Sequence, residues 1–345
     1  MRIFRGIGDR LGGRYRLKQR VHGYRAHLLI EKALAENAFD EPRLVEYLRK
    51  WSALLAKRKK VFDLAFWFGS SMSRKLLGVS KDGMSDQGAF LYDWVKPWYD
   101  GGNGVFVIRD LRLTPPQNDL DAELFGFLFA ELMLPYLMGE GWDDVTKGIC
   151  GEGPYESGEV RMKPDDVVMD CGANQGFFSV LAARRGCEVY AFEPSAHIRS
   201  TYLDRNAALN GVREVVPYAL SNKRETLRFY VCKDNLGVSK IVDPDLEKQL
   251  AGTATEDFET VETLRIDDFV AERDIKRVDF IKADIEGAER QMLRGAGGVL
   301  REFAPKLSIC TYHLPDDPEV LRDIILENQP RYKITQGDKK LYAHV

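Results

Sequence analysis

Two groups of residues in the second half of the chain have the types and spacing that chemistry at a bound cofactor requires. In "VVMDCGANQGFFSVLAARRG", an apolar run ends at Asp170, and Gly172 and Gly176 follow before a helical stretch. Gly172 permits a tight turn, and Gly176 lets the backbone pack closely where the helix begins. Glu193 lies 23 residues after Asp170, at a spacing where an acid can accept both hydrogen bonds of a ribose diol. Together these residues predict a site for a nucleoside-containing cofactor.

Asn174 bears on which cofactor that is. A dinucleotide fingerprint, G-x-G-x-x-G, would place glycine there so that the backbone approaches a pyrophosphate at the helix N-terminus. Asn174 puts a side chain at that position, which favours a ligand without phosphate. An NAD-linked oxidoreductase stays an alternative, and a strand–helix turn that binds nothing would explain the two glycines taken alone.

The second group lies in "DFIKADIEGAE", where Asp284, Glu286 and Glu289 follow a predicted strand. Carboxylates at such an edge repel one another unless a cation or proton intervenes, although the helix dipole alone could explain acids at a helix start. His313, in "TYHLPDD" at the next strand exit, is a candidate general base, and Asp284 is the other. Asp284 and Glu286 could instead ligate a metal, but we expect no obligatory metal because only two or three oxygen ligands can be named.

Alternating strands and helices begin near residue 155 and predict a parallel sheet with helices on both faces. Ligands in such sheets bind beyond the carboxyl ends of the strands, where both groups of residues lie. "ETLRFYV" and "FETVETLRI" predict added strands, and "RYKITQ" with "KKLYAHV" predicts a closing hairpin. The core strands are predicted at 166–170, 187–194, 213–220, 277–284 and 306–313.

The first half of the chain shows amphipathic helical patterns without the alternation of strands and helices. This difference predicts a mainly helical N-terminal domain over 1–150 and a second domain over 151–345. Residues 104–113 are predicted as one strand and 120–138 as an apolar helix. All five tryptophans lie in this half. They either fill a small helical core or line a substrate cleft, for which Trp94 and Trp98 are candidates. Such a domain could select the substrate.

Composition excludes several classes of protein. With 44% apolar and 30% charged residues and a net charge of -3, the chain reads as globular and not as a general nucleic-acid binder. Five cysteines without C-x-x-C argue against a disulfide framework or zinc site and suit a reducing, cytoplasmic location. We expect no signal peptide and no transmembrane segment. The basic start could contact anionic lipid or glycan, although a solvated terminus explains it equally; the oligomeric state is not indicated.

The motifs "DCGANQGFFS", "AFEPS", "ALSN", "DFIKADIEGAE" and "YHLPDDP", in this order, resemble the FkbM family of S-adenosylmethionine-dependent methyltransferases. "GPYESGEV" (153–160) resembles the lead-in of such proteins, and the resemblance covers roughly 150–345. It implies an α/β, Rossmann-like class I methyltransferase fold: a seven-stranded, mostly parallel sheet whose last strand is reversed.

The resemblance also implies S-adenosyl-L-methionine as cofactor and assigns residues to it. Asp284 would sit at the methyl-transfer mouth, and Glu193 would hold the ribose. The remaining residues would surround the methionine part (Asp170, Gly172, Asn174, Gly176), lie near the adenine (Ala219, Leu220, Ser221) or adjoin these positions (Ala173, Phe177, Pro194).

Many members of the family methylate sugar or polyketide hydroxyls. Methyltransferases that act on nucleobase or amide nitrogen usually have Asn or Asp followed by Pro-Pro-Tyr at the strand exit where this chain has "ADIEG". We therefore expect an O-methyltransferase acting on a small-molecule or glycan acceptor, a hydroxyl of a sugar or glycoconjugate. A polyketide or other natural-product hydroxyl, a nitrogen acceptor, and a non-catalytic binding protein that kept the fold are the alternatives.

Overall fold

The structure is a computed structural model in which the chain forms two compact units. Unit 1 comprises 1–99 and 125–154, and unit 2 comprises 100–124 and 155–345. Residues 100–124 thus group with the sheet, although they precede the boundary predicted near 150. Among the residues that the structure describes, no helix combines the length and apolar character needed to cross a bilayer. The described residues are 27–53, 92–139, 154–233, 235–250 and 257–345.

The described part of unit 1 is mainly helical. Its elements are α1 (27–35), α2 (42–53), α3 (92–95), a 3₁₀ turn (Lys96–Trp98), a π-helical turn (Phe129–Met133) and α5 (Leu134–Met138); α4 (Asp119–Leu128) precedes the π-helical turn.

Three of the five tryptophans, Trp51, Trp94 and Trp98, are buried in unit 1. Tyr47 lies among them, with its ring centroid 5.6 Å from that of Trp94 and 6.1 Å from that of Trp98. The indole Nε1 of Trp98 donates a hydrogen bond to Glu41. These tryptophans therefore fill an aromatic core, and the polar atom of the most buried one has a partner. Trp67 and Trp142 lie outside the described residues.

Unit 2 is built on a seven-stranded sheet. The strands along the chain are β1 (Tyr99–Asp100), β2 (Val105–Ile108), β3 (Leu111–Leu113), β4 (Val167–Cys171), β5 (Glu188–Phe192), β6 (Glu214–Val216), β7 (Ala219–Leu220), β8 (Thr226–Tyr230), β9 (Lys240–Ile241), β10 (Phe258–Leu264), β11 (Phe280–Ala283), β12 (Lys306–Cys310), β13 (Lys333–Gln336) and β14 (Lys340–His344). The order across the sheet is β13-β14-β12-β11-β4-β5-β6. Six of its strands run in the same direction, and β14 alone runs in the opposite direction. The seven-stranded, mostly parallel sheet with a reversed last strand is therefore confirmed.

The two central strands of the sheet consist of residues that can be buried on both faces. β4 and β11 are buried along their whole length, as expected for parallel strands that are covered on both faces. The helices of unit 2 are α6 (Phe177–Arg184), α7 (Ala196–Ile198), α8 (Asp204–Asn210), α9 (Pro244–Gln249), α10 (Ile266–Glu272), α11 (Glu289–Arg294), α12 (Gly297–Glu302) and α13 (Asp317–Asn328).

A second sheet, in the order β7-β10-β8-β9, contains the added strands that the sequence predicts. The single strand predicted over 104–113 is wrong, because β2 and β3 form an antiparallel hairpin there. Arg109 adopts a left-handed φ of 53° at the turn, so two charged residues interrupt the apolar run. Asn210 of α8 binds the backbone N–H and carbonyl of Arg112, which holds the hairpin against unit 2's own helices.

Gly172 is the position where the fold depends most on a missing side chain. Its φ is +82°, and a Cβ there would lie 2.0 Å from the carbonyl oxygen of Asp284. Gly211 has a similar φ of +79° with nothing within 4 Å of a Cβ, so a substitution there measures the cost of the backbone conformation alone.

We expect Gly211→Ala to lower the free energy of unfolding by about 1–2 kcal/mol and Gly172→Ala to lower it substantially more, measured by urea unfolding followed by circular dichroism. Equal losses for the two variants would contradict the close approach of the loop to the exit of β11.

Candidate active site

The carboxyl ends of β4 and β11 meet directly. The backbone N–H of Asp284 donates to the carbonyl of Cys171, 3.1 Å away. The glycine loop that follows β4 and the acidic segment that follows β11 therefore start side by side. This is the edge of a parallel sheet where ligands bind, and both groups of residues singled out in the sequence lie on it.

A buried ion pair supports the glycine loop from below. Asp170 is fully buried, with Oδ1 2.9 Å from Nζ of Lys282 and Oδ2 accepting from the Ser179 hydroxyl at 2.6 Å. Lys282 also donates to the carbonyl of Gly172 at 2.7 Å. Burial lowers the pKa of Lys282, but Asp170 and Asp284 outweigh it, so the pKa is raised and the ammonium stays charged. Asp170 thus anchors the loop.

The loop itself is held in a left-handed conformation at three positions, Gly172, Asn174 and Gly176. The side-chain amide of Asn174 donates to the carbonyl of Leu236 at 3.0 Å, and its oxygen accepts from the Gln175 N–H at 2.7 Å. Asparagine tolerates this backbone region better than most residues. The side chain at the middle position of the loop therefore ties the loop to the segment between β8 and β9.

Glu193 lies beside the loop and is 4% exposed. Its carboxylate accepts the backbone N–H groups of Asn174 and Ser195, both at 3.0 Å. Burial raises the pKa of Glu193 to about 7, against the opposing effect of those two N–H groups and of Arg199 and Lys282. A carboxylate so placed has capacity to accept further hydrogen bonds from a bound diol.

These elements surround an open cavity at the carboxyl edge of the sheet, where small molecules and cofactors bind in sheets of this kind. Five predicted cofactor residues do not line the cavity and are buried: Asp170, Ala173, Gly176, Phe177 and Ser221. The predicted cofactor residues that line it are Gly172, Asn174, Glu193, Pro194, Ala219, Leu220 and Asp284.

Much of the apolar wall was missed by the sequence analysis. Tyr218, Phe229, Leu236 and Ile241 line the cavity, with Gly237 and Ser239. They come from the second sheet and its 3₁₀ turn (Leu236–Val238). No sequence signal separates such residues from ordinary core positions, because an alternating apolar pattern fits both. The wall is apolar where a flat ring would pack and polar where Glu193 lies.

At the other end of the cavity, Asp284 is held by two tyrosines. The hydroxyl of Tyr155 donates to Oδ2 at 2.7 Å, and that of Tyr312 donates to Oδ1 at 3.2 Å. Burial raises the pKa of Asp284, but Lys282 and Lys340 outweigh it and the pKa is lowered, so the carboxyl is ionised. Tyr155 lies in the "GPYESGEV" segment, which the sequence flagged without a role for this residue.

His313 adjoins the acidic segment. Its Nδ1 is 3.0 Å from Glu289, and its Nε2 is 3.5 Å from Glu286 and 3.6 Å from Asp284. Burial lowers the pKa of His313, but Glu286 and Glu289 raise it to about 10. The two candidate bases predicted from sequence therefore lie together. The raised pKa means that the His313 ring is protonated unless another positive charge neutralises the neighbouring carboxylates.

The strand order and the cavity at the carboxyl edge of the sheet define a class I methyltransferase fold. A family model described as the methyltransferase FkbM domain matches residues 170–332. The chain belongs to the FkbM methyltransferase family.

The chain is also similar to individual proteins. The chain is 32% identical to the 31-O-demethyl-FK506 methyltransferase FkbM of Streptomyces tacrolimicus, over 39% of this chain and 61% of that protein. It is 23% identical to the hexuronic acid methyltransferase AglP of Haloferax volcanii, over 50% of this chain and 66% of that protein. A solved FkbM methyltransferase from Methylobacillus flagellatus KT is 22% identical, with a TM-score of 0.39, covering 66% of this chain and 56% of that chain. The chain thus spans about three fifths (61%) of the length of the first curated relatives it matches.

The buried Asp170–Lys282 pair predicts a large effect on stability. Asp170→Asn leaves the Lys282 ammonium buried without its counter-charge, and we expect the free energy of unfolding to fall by about 3–5 kcal/mol. Adding Lys282→Met should restore part of that loss, because the stranded charge is removed. Urea unfolding of the single and double variants measures both effects.

The matched control is the exposed pair of Arg273 and Glu214, whose nitrogen and oxygen are 2.6 Å apart. Arg273→Gln should cost less than about 1 kcal/mol because solvent screens that pair. If Asp170→Asn costs no more than Arg273→Gln, the pair does not support the loop as described.

Proposed function

We propose that this protein is an S-adenosylmethionine-dependent O-methyltransferase that methylates a hydroxyl of a sugar or glycoconjugate. The observation that carries the proposal is one cavity with the glycine loop and Glu193 on one side and Asp284 on the other. Membership of the FkbM family supports methyl transfer as the reaction.

The residues present fit S-adenosylmethionine. Glu193 is a buried carboxylate whose oxygens can accept hydrogen bonds from a ribose diol, and Gly172 brings its backbone to the cavity wall without a side chain. Ala219, Leu220 and Phe229 offer an apolar surface for a purine ring. When bound, the cofactor supplies a sulfonium methyl group: the acceptor oxygen bonds to the methyl carbon while the carbon–sulfur bond breaks and its electron pair stays on sulfur.

The protein's own contribution is to position the acceptor and receive its proton. Asp284 is ionised and faces the cavity, so it can accept a hydrogen bond from the acceptor hydroxyl and orient the oxygen. The hydroxyl proton becomes strongly acidic as the new bond forms, so even a carboxylate with a lowered pKa can take it and pass it to water. The base role predicted for His313 requires a neutral ring, which the neighbouring carboxylates disfavour; we therefore assign the proton to Asp284.

The choice of acceptor follows from the relatives and from the site. AglP is named for a hexuronic acid and FkbM for 31-O-demethyl-FK506, so the relatives include one named for a sugar acid. Asp284, Tyr155 and Tyr312 form a cluster of hydrogen-bonding oxygens suited to hydroxyl groups. A natural-product hydroxyl is the second candidate. The role of residues 1–150 in selecting the acceptor stays a prediction.

The direct test incubates the protein with methyl-labelled S-adenosylmethionine and a panel of acceptors. The panel contains hexuronic acid glycosides, neutral sugar glycosides, polyketide alcohols and amines, and nuclear magnetic resonance identifies the methylated atom. We expect O-methylated sugar products. Asp284→Asn should lower kcat by about 10²–10⁴-fold, whereas Glu262→Gln, an exposed carboxylate on β10, should leave it unchanged. Transfer to amines alone, or full activity of both Asp284→Asn and His313→Gln, would overturn the assignment.

Glu193 predicts how cofactor affinity depends on pH. The carboxyl is ionised above its pKa of about 7, and the ionised form accepts two hydroxyl hydrogen bonds better than the protonated form. Affinity for S-adenosylhomocysteine should therefore be constant above pH 7 and fall towards tenfold per pH unit as the pH drops below it. Isothermal titration calorimetry between pH 5.5 and pH 8.5 (a range on the order of the pKa ± 1.5) measures the change.

Glu193→Gln is the matching variant. At pH 8 it should bind about 10–100-fold more weakly, as expected for losing a hydrogen bond to a charged group, and its affinity should no longer change between pH 6 and pH 8 (values on either side of the Glu193 pKa). A variant that keeps the pH dependence of the wild type would show that another group, not Glu193, titrates on binding.

A further inference from the structure

We propose that Asp284, Glu286 and His313 form a binding site for a divalent cation at the acceptor end of the cavity. The binding site stands on its own geometry; its use in catalysis rests on the proposed function. The sequence suggested only two or three oxygen ligands at this edge and no obligatory metal. The structure adds a nitrogen ligand from a different strand exit.

The three side chains converge closely enough for one ion. One ligand atom from each lies within 4.8 Å of the others, and Nε2 of His313 is 3.5 Å from Glu286 and 3.6 Å from Asp284. Ligands about 2.1 Å from a six-coordinate ion lie about 3 Å from one another. Nε2 would therefore have to move about half an ångström closer to each carboxylate for all three to bind one ion, which leaves other coordination positions open.

The buried ring of His313 is separate evidence for a cation at this position. Its side chain is only 7% exposed, and neither ring nitrogen makes a hydrogen bond of good geometry to any residue that the structure describes. A buried imidazole aimed between two carboxylates without a well-formed hydrogen bond is unusual, because buried polar atoms are almost always satisfied. A cation between Nε2 and the carboxylates satisfies the ring.

Glu289 supplies the outer partner that metal-binding histidines usually have. It is fully buried, and its carboxylate accepts the backbone N–H groups of Ile285 at 2.8 Å and Gly287 at 3.1 Å. Its Oε1 lies 3.0 Å from Nδ1 of His313. A carboxylate on Nδ1 favours the tautomer that presents the Nε2 lone pair to a metal. The arrangement thus has ligands and an orienting residue.

The local charge also favours a cation. Three carboxylates, Asp284, Glu286 and Glu289, surround one imidazole, and the positive charges that lower the pKa of Asp284 are Lys282, Lys340 and the His313 ring. Lys282 is bound to Asp170 and to the loop carbonyl. One imidazole nitrogen with carboxylate oxygens suits a first-row divalent ion such as Mn²⁺ better than Ca²⁺, which prefers oxygen ligands alone.

The position gives the ion a role in the reaction. Asp284 and Glu286 both line the cavity, so an ion held by them faces the acceptor with coordination positions left for a hydroxyl. A divalent cation lowers the pKa of a bound hydroxyl and fixes its orientation. The acceptor hydroxyl would then lose its proton more readily, and a carboxylate oxygen of Asp284 that does not bind the ion would receive it and pass it to water, as proposed above.

Mn²⁺ binding to the metal-stripped full chain tests the site directly by electron paramagnetic resonance. We expect one saturable site whose electron spin echo shows modulation from a ligand nitrogen. His313→Gln should abolish that modulation, and His313→Gln and Glu286→Gln should each weaken binding by at least about tenfold, since even outer-sphere partners contribute that much. His197→Gln and Glu262→Gln, both at exposed positions, are the matched controls and should bind as the wild type does.

Circular dichroism shows whether the His313 variant folds, and the Glu286 variant tests the site without changing the buried ring. No saturable binding, binding without nitrogen modulation in the wild type, or wild-type affinity in both the His313 and the Glu286 variants would overturn the site. Methyl transfer by a chain that binds no Mn²⁺ would overturn the site and leave the proposed function standing. Mn²⁺ binding with the nitrogen signature but no methyl transfer to any acceptor would leave the site standing and count against the proposed function.

Discussion

The arrangement of the site depends on the ion pair between Asp170 and Lys282. It joins the ends of the two central strands, β4 and β11, and the same ammonium binds the carbonyl of Gly172. Two charges are buried, which is costly unless each has further partners; the Ser179 hydroxyl and the loop carbonyl meet that need. The pair therefore fixes the height of the glycine loop over the sheet, and with it the position of Asn174 and Glu193.

From this anchor the site extends in two directions with different chemistry. Toward β5 and the second sheet, one buried carboxylate sits in a largely apolar wall, which suits a nucleoside. Toward the exits of β11 and β12, carboxylates, tyrosine hydroxyls and an imidazole gather within hydrogen-bonding distance. The close approach of Gly172 to the carbonyl of Asp284 joins the two regions, so under the proposed function a cofactor in the first would present its reactive end to the second.

The sequence predicted the parts that follow from local pattern. Apolar runs bounded by glycine and acid marked β4 and β11, because buried parallel strands need continuous apolar residues, and the reversed β14 followed from the family resemblance. It missed Tyr155 and the wall formed by Phe229 and Leu236, because these contacts join residues far apart in the chain and no spacing rule connects them. It also placed Asp170 around the ligand, whereas the side chain is fully buried beneath the loop; a terminal strand acid looks the same in sequence whether it faces a ligand or a lysine.

The central claim, that this cavity binds S-adenosylmethionine and not a dinucleotide, is tested most directly by calorimetry on the wild-type chain. S-Adenosylhomocysteine and NAD are titrated separately, and then in competition, at a pH where Glu193 is ionised. The structure predicts saturable binding of S-adenosylhomocysteine that NAD does not displace, because Asn174 stands where a pyrophosphate needs bare backbone. Tight binding of NAD with no binding of S-adenosylhomocysteine would contradict the account.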